Sequence, residues 1–284
     1  MAVYKYLRAS TIGVLESGRI RFTQPRYLND PFELLPHFKE LMPESVLERE
    51  LVHGWPDAVR RALASLPPNA VLAFSVADVL SAPWRNRRTL LARLRQQPAL
   101  DPIAARDRLY EWLDGRIGIL SLSRKADDIL MWSHYTGSHR GFVLELDETH
   151  EYFHGEHPAN SLFGKLLEVT YLERRPHMSA ADLDQLQLFL AKSSRWAYED
   201  EVRMIRPLED ANEMRTDGEE RIHLYDFPGD ALMSVICGSL MEPQVQRQVV
   251  EVVEQHARYT HVRIDKMVVD ETTFQVRRVP IDEV

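Results

Sequence analysis

The residues best equipped for chemistry fall in three short stretches of the chain. One is WAYEDEVR, residues 196–203. If extended, it places Glu199, Glu201 and Arg203 on one face, because side chains alternate along a strand. Two carboxylates so placed can divide acid, base and electrostatic roles around a hydroxylated or cationic reactant. The plainer alternative is an ion pair between Arg203 and either glutamate. A second stretch, SLSRKADDILMWSHYTGSHRG, covers residues 121–141 and carries Ser121, Ser123, Trp132, His134, Tyr135 and His139. A helix reaching His139 would set Trp132, Tyr135 and His139 on one face. Aromatic residues at that spacing usually build a core. Alternatively, Trp132 or Tyr135 offers a flat face to a base or a nicotinamide ring. His134 and His139 are five residues apart, whereas a helical zinc pair sits four apart with a third ligand nearby, so no metal site is expected. The third stretch is NDPFE, residues 29–33. Asn29 and Asp30 favour a turn. That turn either plugs Phe32 into the core or presents Asp30 or Glu33 to a pocket.

Together the N-terminal YKY, NDPFE, MWSHYTGSHRG and WAYEDEVR resemble, over roughly residues 4–240, a bacterial family catalogued as domain of unknown function 2971. The order of elements is also similar to that of ADP-ribosyltransferases. Those enzymes carry an arginine, histidine or tyrosine on the first core strand, then a serine- or tyrosine-bearing element, then a glutamate, often as E-x-E. This second resemblance implies an α+β fold with a split mixed or antiparallel sheet and helical insertions. It implies Tyr6 or Arg8 as the first element, holding ribose or phosphate. Ser121, Ser123 or Tyr135 would be the second, and Glu199-Asp200-Glu201 the third. NAD would be a substrate rather than a cofactor. Glu201 would stabilise positive charge developing on the ribose carbon, more in the transition state than in the ground state. Glu199 would orient or deprotonate an acceptor, and Trp132 or Tyr135 would hold the nicotinamide. Asn29, Asp30, His134, His139 and Arg203 complete the expected substrate-binding set. The sequence departs from that pattern in having no histidine on the first strand and LSLS in place of S-T-S. A toxin or phage-defence setting is implied by the family impression alone. Two other readings stand beside it. One is a metal-dependent nuclease or phosphoesterase using Asp30, Glu33, His134, His139 and Glu199 or Glu201. The other is a non-catalytic module that senses a nucleotide.

These residues need elements to position them. Strands are expected at 3–7, 20–23, 70–75, 117–122, 141–146, 166–171, 201–205, 222–226, 232–237, 261–269 and 274–280, the last two as a hairpin. Ser10 or Thr11 caps a short helix through Glu16, and Gly18 stops it. Residues 25–31 form a loop. Residues 32–116 read as mainly helical, with a basic helix at 86–96. Asp127 or Asp128 caps a helix at 129–135 that Gly137 ends. Leu183, Leu186, Phe189 and their neighbours predict a helix over 180–197, and another follows at 244–257. Short strands interrupted by uneven helices predict an α+β class without regular β-α-β alternation. One domain is expected, with a mainly helical insertion at about 34–115. Neither the dinucleotide fingerprint nor the P-loop spacing occurs.

Bulk properties narrow the function classes. At 284 residues, 44% hydrophobic and 27% charged, the chain is ordinary globular material, long enough to bury a core. A formal net charge of −8 repels nucleic acid on average. A local basic patch, Arg85, Arg87, Arg88, Arg93 and Arg95, reads most plainly as a solvated helix face. The sole cysteine, Cys237, sits in an apolar run and is read as a small buried hydrophobe. The lack of cysteine pairs, signal peptide and apolar span predicts a cytoplasmic protein that uses no membrane, with a small-molecule nucleotide substrate and an unidentified acceptor macromolecule.

Overall fold

The computed structural model describes residues 1–38, 41, 44–64, 75, 81, 85–95, 101–158, 160–178 and 183–283. The chain divides into two compact units. The larger comprises Met1–Leu34, Trp112–Arg174 and Phe189–Val284, and the smaller comprises Leu35–Glu111 and Arg175–Leu188.

The strands, in chain order, are β1 (Ala2–Leu7), β2 (Arg19–Phe22), β3 (His37–Phe38), β4 (Ile117–Ser123), β5 (Phe142–Asp147), β6 (Leu166–Glu168), β7 (Thr170–Leu172) and β8 (His177–Met178). They continue as β9 (Ala191–Ser193), β10 (Glu201–Pro207), β11 (Glu213–Asp217), β12 (Glu220–Asp226), β13 (Leu232–Cys237), β14 (Arg263–Val269) and β15 (Val276–Pro280). Eight of them form the main sheet of the larger unit, in the order β15-β14-β13-β5-β1-β4-β10-β6. Only the β13–β14 pair in it is parallel, joined through the helix Pro243–Gln255, so the sheet is mixed. Its two halves pair fully within themselves: β1 with β5 over Ala2–Leu7, and β10 with β4 over Glu201–Pro207. Between the halves, β1 and β4 share one register position, Tyr4 opposite Ser123. The α+β class and the large mixed sheet agree with the sequence reading.

Alternation along the strands sorts the core onto two faces. Val3, Leu120, Leu122, Leu144, Val202 and Met204 pack on one face with Leu15, Phe22 and Tyr225. Tyr6, Met131, Trp132, Val143, Ile236 and Met267 pack on the other. The helix Ile129–Tyr135 covers that second face, and Asp128 caps it by accepting from the Leu130 and Met131 amides. Gly18 and Gly137 end their helices in the left-handed region at φ 65° each, where the missing Cβ removes the penalty. Cys237 lies fully buried in β13, and burial pushes its thiol up to about 12. A thiol-specific reagent is therefore expected to leave the native protein unmodified and to titrate one thiol after denaturation. A native-state reaction at the rate of a free thiol would contradict this burial.

In the smaller unit, helices Glu44–Ala64 and Arg87–Arg95 accompany the short parallel pair β3–β8. Leu91 is buried while Arg88 and Arg93 are exposed, as a solvated basic face requires. The strand expected at 70–75 lies, apart from Ser75, outside the described residues.

Several local expectations are corrected. Of the helix predicted at 180–197, the described residues 183–197 are α-helical over Gln185–Leu190, then extend as β9 and tighten into a 3-10 turn, Ser194–Glu199. Pairing of β9 with β7 overrides the apolar spacing there. The single strand expected at 166–171 is two, β6 and β7, which join different sheets. β11 was not foreseen; it is exposed and polar and forms through its hairpin with β12. Neither Ser10 nor Thr11 caps a helix: Thr11 instead donates back to the Arg8 carbonyl at 2.6 Å. Phe32 does not plug the core, being 59% exposed, while Leu34 is buried in its place.

Candidate functional site

A pocket of about 220 Å³ opens in the larger unit among β1, β4, β10, the turn before Glu33 and the helix Ile129–Tyr135. Its wall is built from buried charge. Lys192, on β9, lies 2.5 Å from Glu199 Oε2 and 2.7 Å from Glu201 Oε2. It also lies 3.1 Å from Glu33 Oε1, off the hydrogen-bonding direction. Arg203 donates Nε to Glu201 Oε1 at 2.7 Å and an Nη to Glu33 Oε2 at 2.5 Å. Its other Nη donates to the Phe189 carbonyl at 3.0 Å. All five side chains are buried.

The geometry follows from local structure. Glu201 and Arg203 share a face of β10, opposite Ser123 and Ser121 of β4. Asp200 between the glutamates is left-handed at φ 44°, a conformation that Asp tolerates better than most residues. It turns the chain from the 3-10 helix into β10 and keeps Glu199 beside Glu201. The Glu201 amide donates to the Tyr171 hydroxyl at 2.8 Å. The Ser123 hydroxyl donates to the Glu199 carbonyl at 2.6 Å.

The two glutamates are electrostatically unlike. Burial alone would raise the Glu201 carboxyl, but Arg203 and Lys192 outweigh it and hold Glu201 well below the usual carboxylate range. For Glu199 burial wins, against Lys192 and the Tyr135 hydroxyl, and its carboxyl is raised. The same buried cluster thus pushes the two carboxyls in opposite directions. Tyr135 donates its hydroxyl to Glu199 Oε1 and accepts from Asn29 Nδ2, the latter at 2.6 Å. Burial and the neighbouring Glu199 raise the phenol, so it stays protonated.

The remaining sequence candidates separate. Tyr6 and Ser121 line the pocket. The Tyr6 hydroxyl, however, donates to the Lys125 carbonyl at 2.8 Å, and its ring meets Trp132 edge-on at 5.5 Å. Ser123 lines the pocket but is spent on bracing Glu199 and the Lys125 amide. Trp132 cannot hold a ring: it is 0% exposed, and its indole donates to the Ala126 carbonyl at 2.7 Å. Arg8 is exposed and lies off the pocket. Asp30 is buried and bonds its own turn, accepting from the Phe32 amide at 2.9 Å. His134 is exposed, 3.1 Å from the Tyr198 hydroxyl. The helix stops before His139, so its expected shared face with Tyr135 does not form. Instead a left-handed turn through Gly137, Ser138 and His139 lays the imidazole parallel to Trp132, 6.3 Å between centroids. Among the described residues no group of three or more His, Cys, Asp or Glu could hold a metal ion. No helix there is long and apolar enough to cross a membrane.

Two charged residues of the pocket were missed by sequence reasoning, Lys5 and Lys192. A charge count would have pointed to Lys192: three carboxylates around one arginine need a second cation to be buried. Lys5 was signalled by its place between two tyrosines of an otherwise apolar strand.

The family model described as Protein of unknown function (DUF2971) matches residues 131–204. The resemblance read from the motifs therefore holds over the segment carrying Tyr135, Lys192, Glu199, Glu201 and Arg203. No curated protein and no solved structure matches the chain.

Proposed function

We propose that the pocket binds the nicotinamide-ribose end of NAD and that the protein breaks the bond between them, as an ADP-ribosyltransferase or NAD glycohydrolase. The observation that supports this most is the convergence of Glu199, Glu201, Tyr135 and Tyr6 on one pocket. Nicotinamide leaves with the electron pair of the C–N bond, and positive charge develops on the ribose carbon. Three carboxylates face two cations in the buried cluster, so an ionised cluster carries one surplus negative charge where it favours that state. A hydroxyl of water or an acceptor then adds to the carbon. Its proton passes through Tyr135 to Glu199, the carboxylate to which the Tyr135 hydroxyl is bonded and whose carboxyl burial raises. A volume of 220 Å³ is below the roughly 300–1,000 Å³ of pockets that enclose a drug-sized ligand. It suits half of a dinucleotide.

A sensor that binds a nucleotide without turnover is the second reading. It is favoured by one fact: both Glu201 oxygens are already bonded to Arg203 and Lys192. Nicotinamide release from NAD separates the two. Under the first reading, Glu199→Gln and Tyr135→Phe each slow turnover, read as steady-state nicotinamide release, by roughly a hundredfold or more, with the fold unchanged by circular dichroism. A saturable thermal shift with NAD and no release would leave the sensor. Neither shift nor release from folded protein would end both readings.

A further inference from the structure

Among the described residues, Lys5 is the pocket cation that the ion-pair network does not absorb. Lys192 and Arg203 are held by three carboxylates between them. Among the described residues, the hydrogen-bond partner of Lys5 Nζ is the Ser121 carbonyl at 2.9 Å, and no carboxylate lies within ion-pair distance. An ammonium carries three donors and no acceptor, so donors remain unspent. Odd-numbered residues of β1 share a face, and Lys5 therefore leaves the strand beside Val3 and Leu7, on the apolar side. It nevertheless reaches the pocket, at the place where β1 and β4 pair at a single position.

We propose that Lys5 is a ligand-binding residue whose ammonium holds a phosphate group of the pocket's occupant. A half-buried lysine with free donors and no counter-ion is a compact point charge suited to a phosphate oxygen. The surroundings agree. Burial lowers Lys5 to about 8, the Arg21 guanidinium adding to it and Glu201 opposing it. A bound dianion would reverse that burden. The assignment goes beyond the reaction proposed above, because it concerns anion capture and stands whether or not NAD is cleaved.

The test uses the full chain and inorganic pyrophosphate, titrated at constant ionic strength with chloride as the matched salt, reading each protein's own thermal midpoint. The parent is expected to shift saturably with pyrophosphate and not with chloride. Lys5→Met is expected to raise the half-saturating concentration by roughly tenfold or more, and Lys5→Arg to restore most of the affinity. Should the methionine variant fail to fold, Lys5→Gln serves in its place. The groups facing Lys5 are Glu201 and Arg21, with Lys192, Glu199, Glu33 and Arg203 around the same pocket. The affinity is therefore expected to be full below about 8 and to fall as Lys5 loses its proton above it. A parent that does not shift, or a methionine variant that shifts as the parent does, overturns the proposal. Nicotinamide release plays no part in either outcome.

Discussion

Replacing Lys192 by Met is expected to destabilise the protein by about 3–5 kcal/mol, the usual consequence of removing one partner from a buried ionic cluster. The ammonium touches Glu33, Glu199 and Glu201 at 3.1, 2.5 and 2.7 Å, and it is 3% exposed. With it gone, Arg203 faces three buried carboxylates alone. A protein of this kind has roughly 5–15 kcal/mol in total, so the variant would sit near its unfolding threshold. Urea denaturation reads the loss directly, and Lys192→Arg should lose less because the charge stays.

Acidity gives the same experiment a second readout. In the parent, Glu201 has a folded pKa below its ordinary value of 4.5. Its contribution is present above that value and is lost as pH falls through the folded pKa. In the variant, burial is less opposed and the orphaned carboxyls rise instead. The folded variant then holds more protons than its unfolded chain in the range just above 4.5, and it gains stability as pH falls through that range. The gap between parent and variant should be widest near neutrality and should narrow on acidification. A gap constant between about pH 7 and pH 5 would mean that Lys192 stabilises through the packing of its stem and its 5.2 Å cation–π approach to the Trp196 ring rather than through the carboxylates.

The second large effect has the opposite sign. Lys5→Met is expected to stabilise the protein at neutral pH by about 2 kcal/mol. Lowering a lysine from 10.5 to about 8 corresponds to roughly 3 kcal/mol of disfavoured charge. Removing the ammonium releases that cost and leaves the Ser121 carbonyl without its donor, which offsets about 1 kcal/mol. The pH window follows from the two values. Below about 8, Lys5 is protonated in both folded and unfolded states and the full cost is present. Between about 8 and 10.5 the unfolded chain holds the proton that the folded protein has lost, so parent stability rises with pH relative to the variant. The advantage of Lys5→Met should therefore shrink across that interval. A methionine variant less stable than the parent at pH 7 would show that Lys5 is part of the scaffold. A stabilised variant that loses pyrophosphate binding would match the exchange of stability for function seen at binding sites.

Much of the site was legible because it depends on local rules. The strand period put Glu201 and Arg203 on one face of β10 whatever the rest of the chain did. Asp128 caps the helix Ile129–Tyr135 and Gly137 ends it, each through its own backbone chemistry. Tyr135 was one of two candidates for the pocket, and tertiary packing chose it. Trp132, one turn away on the same helix, went into the core against Tyr6.

What the sequence by itself determined is the α+β class, most strand positions, the shared strand face of Glu201 and Arg203, and the resemblance now matched over residues 131–204; Glu199, expected on the same extended face, instead ends a 3-10 helix and is brought beside Glu201 by the left-handed turn at Asp200. Tertiary structure alone decided which charges neutralise which. Lys192 sits in a stretch whose apolar spacing predicts a helix, and it reaches Glu199 and Glu201 only because β9 pairs with β7 instead. Glu33 reaches Arg203 across 170 residues of chain. Among the described residues Lys5 meets the Ser121 carbonyl and no carboxylate, a difference from Lys192 that its place on β1 does not announce. Periodicity is a property of neighbours along the chain, whereas a buried charge finds its partner by distance through a low-dielectric interior. That distance is set by the packing of every element between them.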